Sequence, residues 1–298
     1  MMQLIEIILT PIFALIIGIF FLGLSRKIIA RIHWRYGPPI TQPVIDIIRL
    51  FSQKSVSHGH LFDLGIILSL AGAIVVVLFI PFGHIHPMSS SGGMLVIIYM
   101  MLFSPLGIAL SSAEAANPNI SIGISRKLLL SLAYEIPFLL VLLAVMTHYK
   151  TISLVDIVRI QQDTGWALIS LPLVLSGIAY ILILPAILGV RPFELVQAQQ
   201  EISSGPMAEY GGPFLALATM QHAINLFIGV ALFVNLFLGG AGNPVTFFLK
   251  MVLVYVLLIF VHASLPRLRI EQAFDYLLKW PTFIAFIGMI IVVLVRRS

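Results

Sequence analysis

Long apolar stretches, separated by short polar segments, follow one another along the whole sequence. A helix needs about 20 apolar residues to cross the hydrocarbon core of a bilayer, which is about 30 Å thick, and roughly eight stretches reach that length. They occupy about residues 3–24, 64–82, 94–112, 127–147, 167–190, 214–239, 246–265 and 280–295. The stretches are apolar on every side, whereas barrel strands alternate apolar and polar residues. The pattern therefore predicts an all-α, polytopic membrane protein with about eight transmembrane helices, which forms a single integral membrane domain over residues 1–298.

The first long polar loop, residues 25–63, contains a predicted helix of its own. After a break at Tyr36-Gly37-Pro38-Pro39, apolar residues recur at i, i+3, i+4 and i+7, and polar residues take the opposite face. The apolar positions are Val44, Ile47, Ile48 and Phe51. This spacing is typical of an amphipathic helix that lies along a surface. We predict such a lateral helix over residues 42–54, bound either to the membrane interface or to a partner subunit.

Basic residues are distributed unequally between the two sides of the predicted bundle. Twelve of the 17 Lys and Arg residues lie in the segments 25–63, 113–127, 191–213 and 266–279, which alternate with the segments that carry the other five. Cytoplasmic loops carry an excess of Lys and Arg. The long loops are therefore predicted to be cytoplasmic, with both termini outside. The net charge of +5 follows from this topology and does not indicate nucleic-acid binding.

Composition excludes several classes of site. Hydrophobic residues make up 60% of the chain and the mean hydropathy is +1.08, so no soluble domain is predicted. The absence of cysteine excludes disulfides, thiolate zinc sites and iron–sulfur clusters held by this chain. The sequence also lacks the phosphate-binding, dinucleotide-binding and nucleophile-elbow motifs. We therefore predict no catalytic centre and no bound cofactor or metal in this chain.

The segment 191–213 is unusually polar for a chain with a charged fraction of 10%. Pro192 is well placed as a first helical residue, and a short helix is predicted to follow it. On that helix Glu194, Gln197 and Glu201 would share one face. Such aligned carboxylates and amides favour a functional segment over a solvated loop. The other polar residues that belong to this segment are Gln199, Gln200 and Glu209.

Glu135 lies near the middle of the fourth predicted span among apolar neighbours. A charge at a helix centre costs at least roughly 2.5–3.5 kcal/mol, and such residues usually face a polar interior and mark ion or proton routes. Pro137 frees a backbone carbonyl there and can kink the helix. The alternative is a protonated Glu135 that serves packing alone. His222 and His262 are isolated histidines, which more often serve packing than metal binding.

Four segments together resemble one family. They are RIHWRYGP from Arg31 with TQPVIDIIRLFSQK, GISRKLLLSLAYEIP around Glu135, PFELVQAQQEISSGPMAEYGG, and LPRLRIEQ from Leu265. The chain is similar to the membrane subunit shared by respiratory complex I, where it is subunit 1, and the energy-converting membrane-bound [NiFe] hydrogenases. That family includes the archaeal membrane-bound hydrogenase and sulfane sulfur reductase relatives.

The resemblance implies a subunit that joins a membrane arm to a peripheral redox arm. Its buried carboxylates would start a proton route below the terminal iron–sulfur cluster of a partner. The implied route residues are Glu114, Glu135, Glu194, Gln197, Gln199, Glu201, Glu209 and His222. The implied redox-arm interface contains Arg31, Arg35, Asp46, Arg49, Lys54, Arg126, Arg267 and Arg269.

The sequence departs from the family pattern at several of these positions. Gln197 and Gln199 stand where family members usually have Glu, and His222 stands where a Glu opens the sixth span. Ser55 follows Lys54 where Glu is common, and His262 replaces an Arg. The implied route is therefore less acidic than that of complex I.

The leading interpretation is a non-catalytic coupling subunit of a ferredoxin-driven oxidoreductase that pumps H⁺ or Na⁺, of the hydrogenase or sulfane sulfur reductase type. Expected partners are a NiFe-like large subunit, an iron–sulfur subunit, antiporter-type membrane subunits and the lipid bilayer. Iron–sulfur clusters would be bound by those partner subunits. A NiFe-type centre would also be bound by a partner if the complex is of the hydrogenase type. One alternative is the quinone-site subunit of an NADH:quinone oxidoreductase. A secondary transporter is the other, although no inverted repeat is visible in the sequence.

Overall fold

The computed structural model describes residues 2–88, 92–114 and 117–297. Within these ranges the α-helices are α1 (Met2–Ile32), α2 (Gln42–Phe51), α3 (His60–Leu78), α4 (Gly93–Ala113), α5 (Pro118–Tyr149), α6 (Leu154–Thr164), α7 (Val174–Leu188), α8 (Gln199–Ile202), α9 (Gly212–Phe237), α10 (Pro244–Ser264) and α11 (Ile270–Arg297). The only β-type pairing in the described ranges is one bridge between Phe82 and Ile85. The predicted all-α membrane fold is confirmed.

Seven of these helices are long and apolar enough to cross a membrane, namely α1, α3, α4, α5, α9, α10 and α11. The fifth predicted span, 167–190, differs because only its second half forms the 15-residue helix α7. Residues 167–173 form turns instead, and Leu168 N–H donates to the Phe237 carbonyl at 3.0 Å. Pro172 lacks an N–H and disfavours a helical conformation at the residue before it. The turns thus pack on the end of α9 and α7 begins after them.

The helix predicted to follow Pro192 does not form. Residues 191–198 make turns and bends, and only α8, which has four residues, is helical. Phe193, Leu195 and Ala198 are all buried, so apolar side chains point inward along the segment and anchor it in a non-helical path. Phe193 packs against Tyr276 with ring centroids 5.8 Å apart. Burial of these side chains outweighs the local helical pattern, and the predicted common face of carboxylates and amides does not exist.

Helix α9 is the centre of the bundle. In its most apolar 18-residue window 72% of residues are buried, against 22–44% in the other six long helices. It contacts α1, α3, α7 and α10, and the lateral helices α2 and α6. By contrast, Leu249, Leu253 and Leu257 on α10 are four residues apart and exposed. Such an apolar outer face suits contact with lipid tails.

Small residues allow the helices to approach closely. A Cβ atom on Gly18 of α1 would overlap the Ala223 carbonyl of α9. Gly65 of α3 and Gly107 of α4 face each other's backbone in the same way. Close backbone contact of this kind is common between membrane helices, where packing rather than water exclusion drives association.

The seven long helices and the shorter α7 run in alternating directions through the bundle, which makes eight passes and divides the connections between two faces. We call the face that carries loops 33–59, 189–211 and 265–269 the loop face, and the opposite one the far face. Helix α1 begins and α11 ends at the far face, so both described ends of the chain lie there.

The predicted lateral helix is confirmed as α2, which begins at Gln42 and ends at Phe51. It packs on α1 and α9 through Pro43 and Ile47, which are buried. Three residues of its predicted apolar stripe, Val44, Ile48 and Phe51, are exposed. Most of the apolar face of α2 is therefore not covered by this chain.

Candidate functional site

A cavity of about 290 Å³ opens at the loop face between α1, α5, α9 and α10. This volume is near the lower end of the roughly 300–1,000 Å³ found for ligand pockets. Arg26 and Glu194 mark its open end, because their side chains are 48% and 34% exposed. Its polar lining residues are Ser25, Arg26, Ser104, Lys127, Ser131, Tyr134, Glu194, Gln197, Gln221, His222, Asn225, Tyr255 and His262.

Three of the predicted route residues, Glu194, Gln197 and His222, line this cavity. Glu194 is not free, because its Oε2 accepts a hydrogen bond from Arg191 Nε at 3.0 Å. Arg191 is itself fixed, since its backbone N–H donates to His262 Nδ1 at 3.0 Å. The side chain of Gln199, a further predicted route residue, lies outside the described part of the structure.

Glu135 lies further along α5, outside the cavity. It borders a separate crevice of about 20 Å³ between α4 and α5. Met101 and Pro105 of α4 and Ser131 and Tyr134 of α5 line both spaces and form the wall between them. Lys127, Ser131 and Glu135 follow one another at intervals of four residues, so they share one face of α5 at steps of about 6 Å. The wall residues thus separate Glu135 from the cavity by one helical turn.

Glu201 lies outside the cavity and is held between two guanidinium groups. Its Oε2 accepts a hydrogen bond from Arg126 Nη1 at 2.8 Å, and its Oε1 accepts one from Arg267 Nη2 at 3.1 Å. The hydrogen bond from Arg126, with the positive charges of Arg267, Arg126 and Arg269, holds the pKa of the Glu201 carboxyl below its usual value of 4.5. These pairs connect α8 to α5 and to the α10–α11 linker.

The two other acidic residues of the predicted route, Glu209 and Glu114, make contacts between separate segments on the loop face. Glu209 lies 3.4 Å from His58 Nε2 and accepts a hydrogen bond from Asn117 Nδ2 at 3.2 Å. Glu114 accepts a hydrogen bond from the Phe62 backbone N–H at 2.9 Å. This satisfies one of the unpaired donors at the N-terminus of α3 and complements its dipole. The structure does not bring Glu114 or Glu209 to the cavity lining.

The floor of the cavity is a neutral polar network that the sequence interpretation missed. Ser104 Oγ accepts hydrogen bonds from Gln221 Nε2 and, at 3.0 Å, from Asn225 Nδ2. Ser69 Oγ donates to the Ser104 carbonyl at 2.8 Å. The signal for this network was present in the sequence, because Gln221 and Asn225 lie four residues apart within an apolar span.

Lys127 was also missed as a site residue and was counted only as a loop charge. It lies ten residues into α5, half-buried, and lines the cavity. It makes no hydrogen bond or salt bridge to any residue that the structure describes. Its position inside the long helix α5 distinguishes it from the loop lysines, but the sequence span predicted for this helix began only at residue 127.

The residues predicted to contact a redox arm all lie on the loop face. Arg31 stacks over the Tyr36 ring at 4.7 Å from its centroid, and Asp46 pairs with Arg26 at 3.1 Å. Trp34, which lies between Arg31 and Tyr36 in the sequence, is 98% exposed. Arg126 and Arg267 are instead occupied by Glu201. The remaining members, which are exposed, are Arg35, Arg49, Lys54 and Arg269.

Residues 5–293 of the chain match the NADH dehydrogenase family. The chain is 30% identical to hydrogenase-4 component C of Escherichia coli (strain K12) over 293 residues, with 94% of this chain and 89% of that protein covered. It is 29% identical to an NADH-quinone oxidoreductase subunit of Protochlamydia amoebophila (strain UWE25) over 296 residues, with 90% and 89% covered. Among solved structures, it is similar to a chain of the membrane-bound sulfane sulfur reductase, an archaeal respiratory membrane complex. That likeness has a TM-score of 0.94 and 38% identity and covers 98% of this chain and 100% of the other.

Proposed function

Because the chain belongs to the NADH dehydrogenase family, which it matches over residues 5–293, we propose that it is a non-catalytic coupling subunit of a ferredoxin-driven ion pump. It is a membrane subunit of the complex I-like or membrane-bound hydrogenase class. The identity of 38% to a sulfane sulfur reductase chain, against 30% and 29% to the two other relatives, favours the hydrogenase and sulfur reductase branch.

The observation that carries the coupling role is the position of Glu135 beside the cavity. A cavity with several polar lining residues is open to the loop face and ends at a wall that includes Ser131 and Tyr134, and Glu135 lies behind that wall. A carboxylate at this depth is costly unless it exchanges a proton or meets a polar partner. In this proposal, a charge change in the cavity alters the protonation of Glu135, which passes the proton on toward neighbouring membrane subunits.

The loop face supplies the proposed docking surface for the redox arm. Exposed Arg31, Arg35 and Arg49 lie there together with exposed Trp34 and Tyr36. Arginine and aromatic residues are enriched in the energetically important parts of protein interfaces. The electrons of the reaction would travel through clusters in that arm, since this chain has no cysteine to hold them.

Affinity purification through a tag on this chain tests the assembly part of the proposal. The expected preparation contains cluster-bearing partner chains in fixed ratio, carries iron and sulfide, and oxidises reduced ferredoxin. Recovery of the chain alone or as a homo-oligomer would support a secondary transporter instead.

A quinone-reducing role is the second candidate, supported by the likeness to an NADH-quinone oxidoreductase component and by the apolar walls of the cavity. The amide side chains Gln197 and Gln221, which cannot take up a proton, argue against it. We expect quinone-site inhibitors to leave electron transfer in the purified complex unchanged. Inhibition at submicromolar concentration would favour the quinone-reducing role.

A further inference from the structure

The charges that line the cavity are mainly basic. Arg26 and Lys127 are basic side chains, and His222 and His262 add two imidazoles. Glu194 is the one carboxylate among the described lining residues, and it is paired with Arg191. A cavity that binds cations would be expected to have an acidic lining. The mainly basic lining therefore disfavours a cationic ligand and favours an anionic one.

Lys127 is the cation in this lining that is left without a partner. Arg26 is paired with Asp46 at 3.1 Å, whereas the Lys127 ammonium has no hydrogen bond or salt bridge within the described structure. A half-buried ammonium without a partner is costly. An anionic group in the cavity would remove that cost and form a charge-assisted hydrogen bond.

The rest of the cavity wall is largely apolar. Side chains of α1, α3, α4, α5 and α10 supply it, and they include Leu22, Val76, Met100, Leu130 and Leu258. A small hydrated anion would leave this surface in contact with water, whereas a hydrocarbon chain would cover it. The cavity therefore combines one unpaired cation with an apolar surface.

From this combination we propose that the cavity binds an anionic amphiphile, with its carboxylate or phosphate on Lys127 Nζ and its acyl chain along the apolar wall. A free fatty acid and a single-chain phospholipid share this chemistry. The His222 imidazole and the Gln221 and Asn225 amides lie in the same lining and can donate to the same head group. The inference rests on the cavity alone and would stand if the coupling role failed.

Photolabelling of the purified complex with a diazirine derivative of palmitate tests the proposal. Adducts should map to cavity-lining peptides of α5 and α10, and excess palmitate should prevent them while hexadecanol, its neutral analogue, should not. In Lys127→Gln the labelling should fall about tenfold or more, because a charge-assisted hydrogen bond is lost. Lys127→Arg should retain it. Lys279→Gln is the matched control, since Lys279 is exposed and paired with Asp275 on the outer surface of α11.

Labelling of Lys127→Gln equal to that of the wild type would overturn the proposal, and so would competition by hexadecanol as strong as by palmitate. The competition is measured on the wild-type complex, so it decides the question even if Lys127→Gln does not assemble. Mass spectrometry of an organic extract then identifies the source as a fatty acid or a single-chain phospholipid. Recovery of a stoichiometric quinone in place of either would also refute it.

Discussion

Glu201 lies between Arg126 and Arg267, and this position determines when its side chain can accept a proton. Because its pKa is lowered from 4.5, the carboxylate stays charged throughout the neutral range. The resemblance to the family placed Glu201 on the proton route, and that role stays a prediction. In the arrangement seen here, the residue would first have to leave its arginines before it could take up a proton.

The same pairs predict how the loop around α8 responds to pH. A lowered folded-state pKa means that the stabilisation is complete above pH 4.5 and is lost as the pH falls through the folded-state value. Each half-exposed pair contributes about 0.2–1 kcal/mol to the stability of the closed loop. Loss of both pairs should therefore increase the population of the open conformation of residues 203–209 severalfold. The rate of backbone amide hydrogen exchange in this loop, corrected for the intrinsic effect of pH, should be constant from pH 8 to 6 and should rise below pH 4.5.

Two variants complete that experiment. Glu201→Gln should open the loop at all pH values and remove the acid dependence. Glu271→Gln, at an exposed position on α11 that makes no described salt bridge, should behave as the wild type does. An acid response that persists unchanged in Glu201→Gln would assign it to another group.

At the scale of single elements, α2 was predicted well because its signal is local. The spacing of Val44, Ile47, Ile48 and Phe51 depends only on helical periodicity, and Pro43 fits the first turn. The segment after Pro192 was predicted wrongly because its conformation depends on distant contacts. The ring of Phe193 packs on Tyr276, and the Leu268 N–H donates to the Pro192 carbonyl at 3.0 Å. No local pattern contains those partners.

The loop before α2 is the element for which docking can be tested. Arg35 is exposed beside Trp34 and Tyr36, and a charge paired at a desolvated interface costs several kcal/mol when it is broken. Arg35→Glu should weaken attachment of the redox arm about 100-fold or more and leave the membrane subunits together. Arg159→Glu, which changes an exposed charge on the far face, is the matched control. Normal copurification of the redox chains with Arg35→Glu would refute docking at this loop.

For the whole molecule, the order of the spans and seven of the eight predicted ones could be predicted from hydropathy, because every backbone group in a bilayer must be paired within a helix. The fifth predicted span is the exception, since only residues 174–188 of it are helical. The cavity could not be predicted. It lies between α1, α5, α9 and α10, and the sequence does not state which of their faces meet. Glu135 was found because one carboxylate in an apolar span is conspicuous, whereas Ser104 resembles any small packing residue until Gln221 and Asn225 are seen to contact it.

The orientation of the bundle remains a prediction from the basic residues of the loop face. The chain contains no cysteine, so single cysteines can be introduced without background. Ser52→Cys lies on the loop face and His86→Cys on the far face, and both positions are exposed. A membrane-impermeant thiol reagent applied to intact cells should label only the cysteine at 86. Labelling at 52 would reverse the orientation and move the proposed docking surface outside the cell.

The coupling role is tested most directly by ion pumping per electron in Glu135→Gln, with the assembled complex reconstituted into vesicles. Glutamine keeps the shape and hydrogen bonding of Glu135 but cannot release a proton. Glu6→Gln in α1 is the control for loss of a carboxylate within a span. We predict normal assembly, near-normal electron transfer and pumping per electron reduced about tenfold or more. Pumping per electron equal to that of the wild type would contradict the coupling role of Glu135.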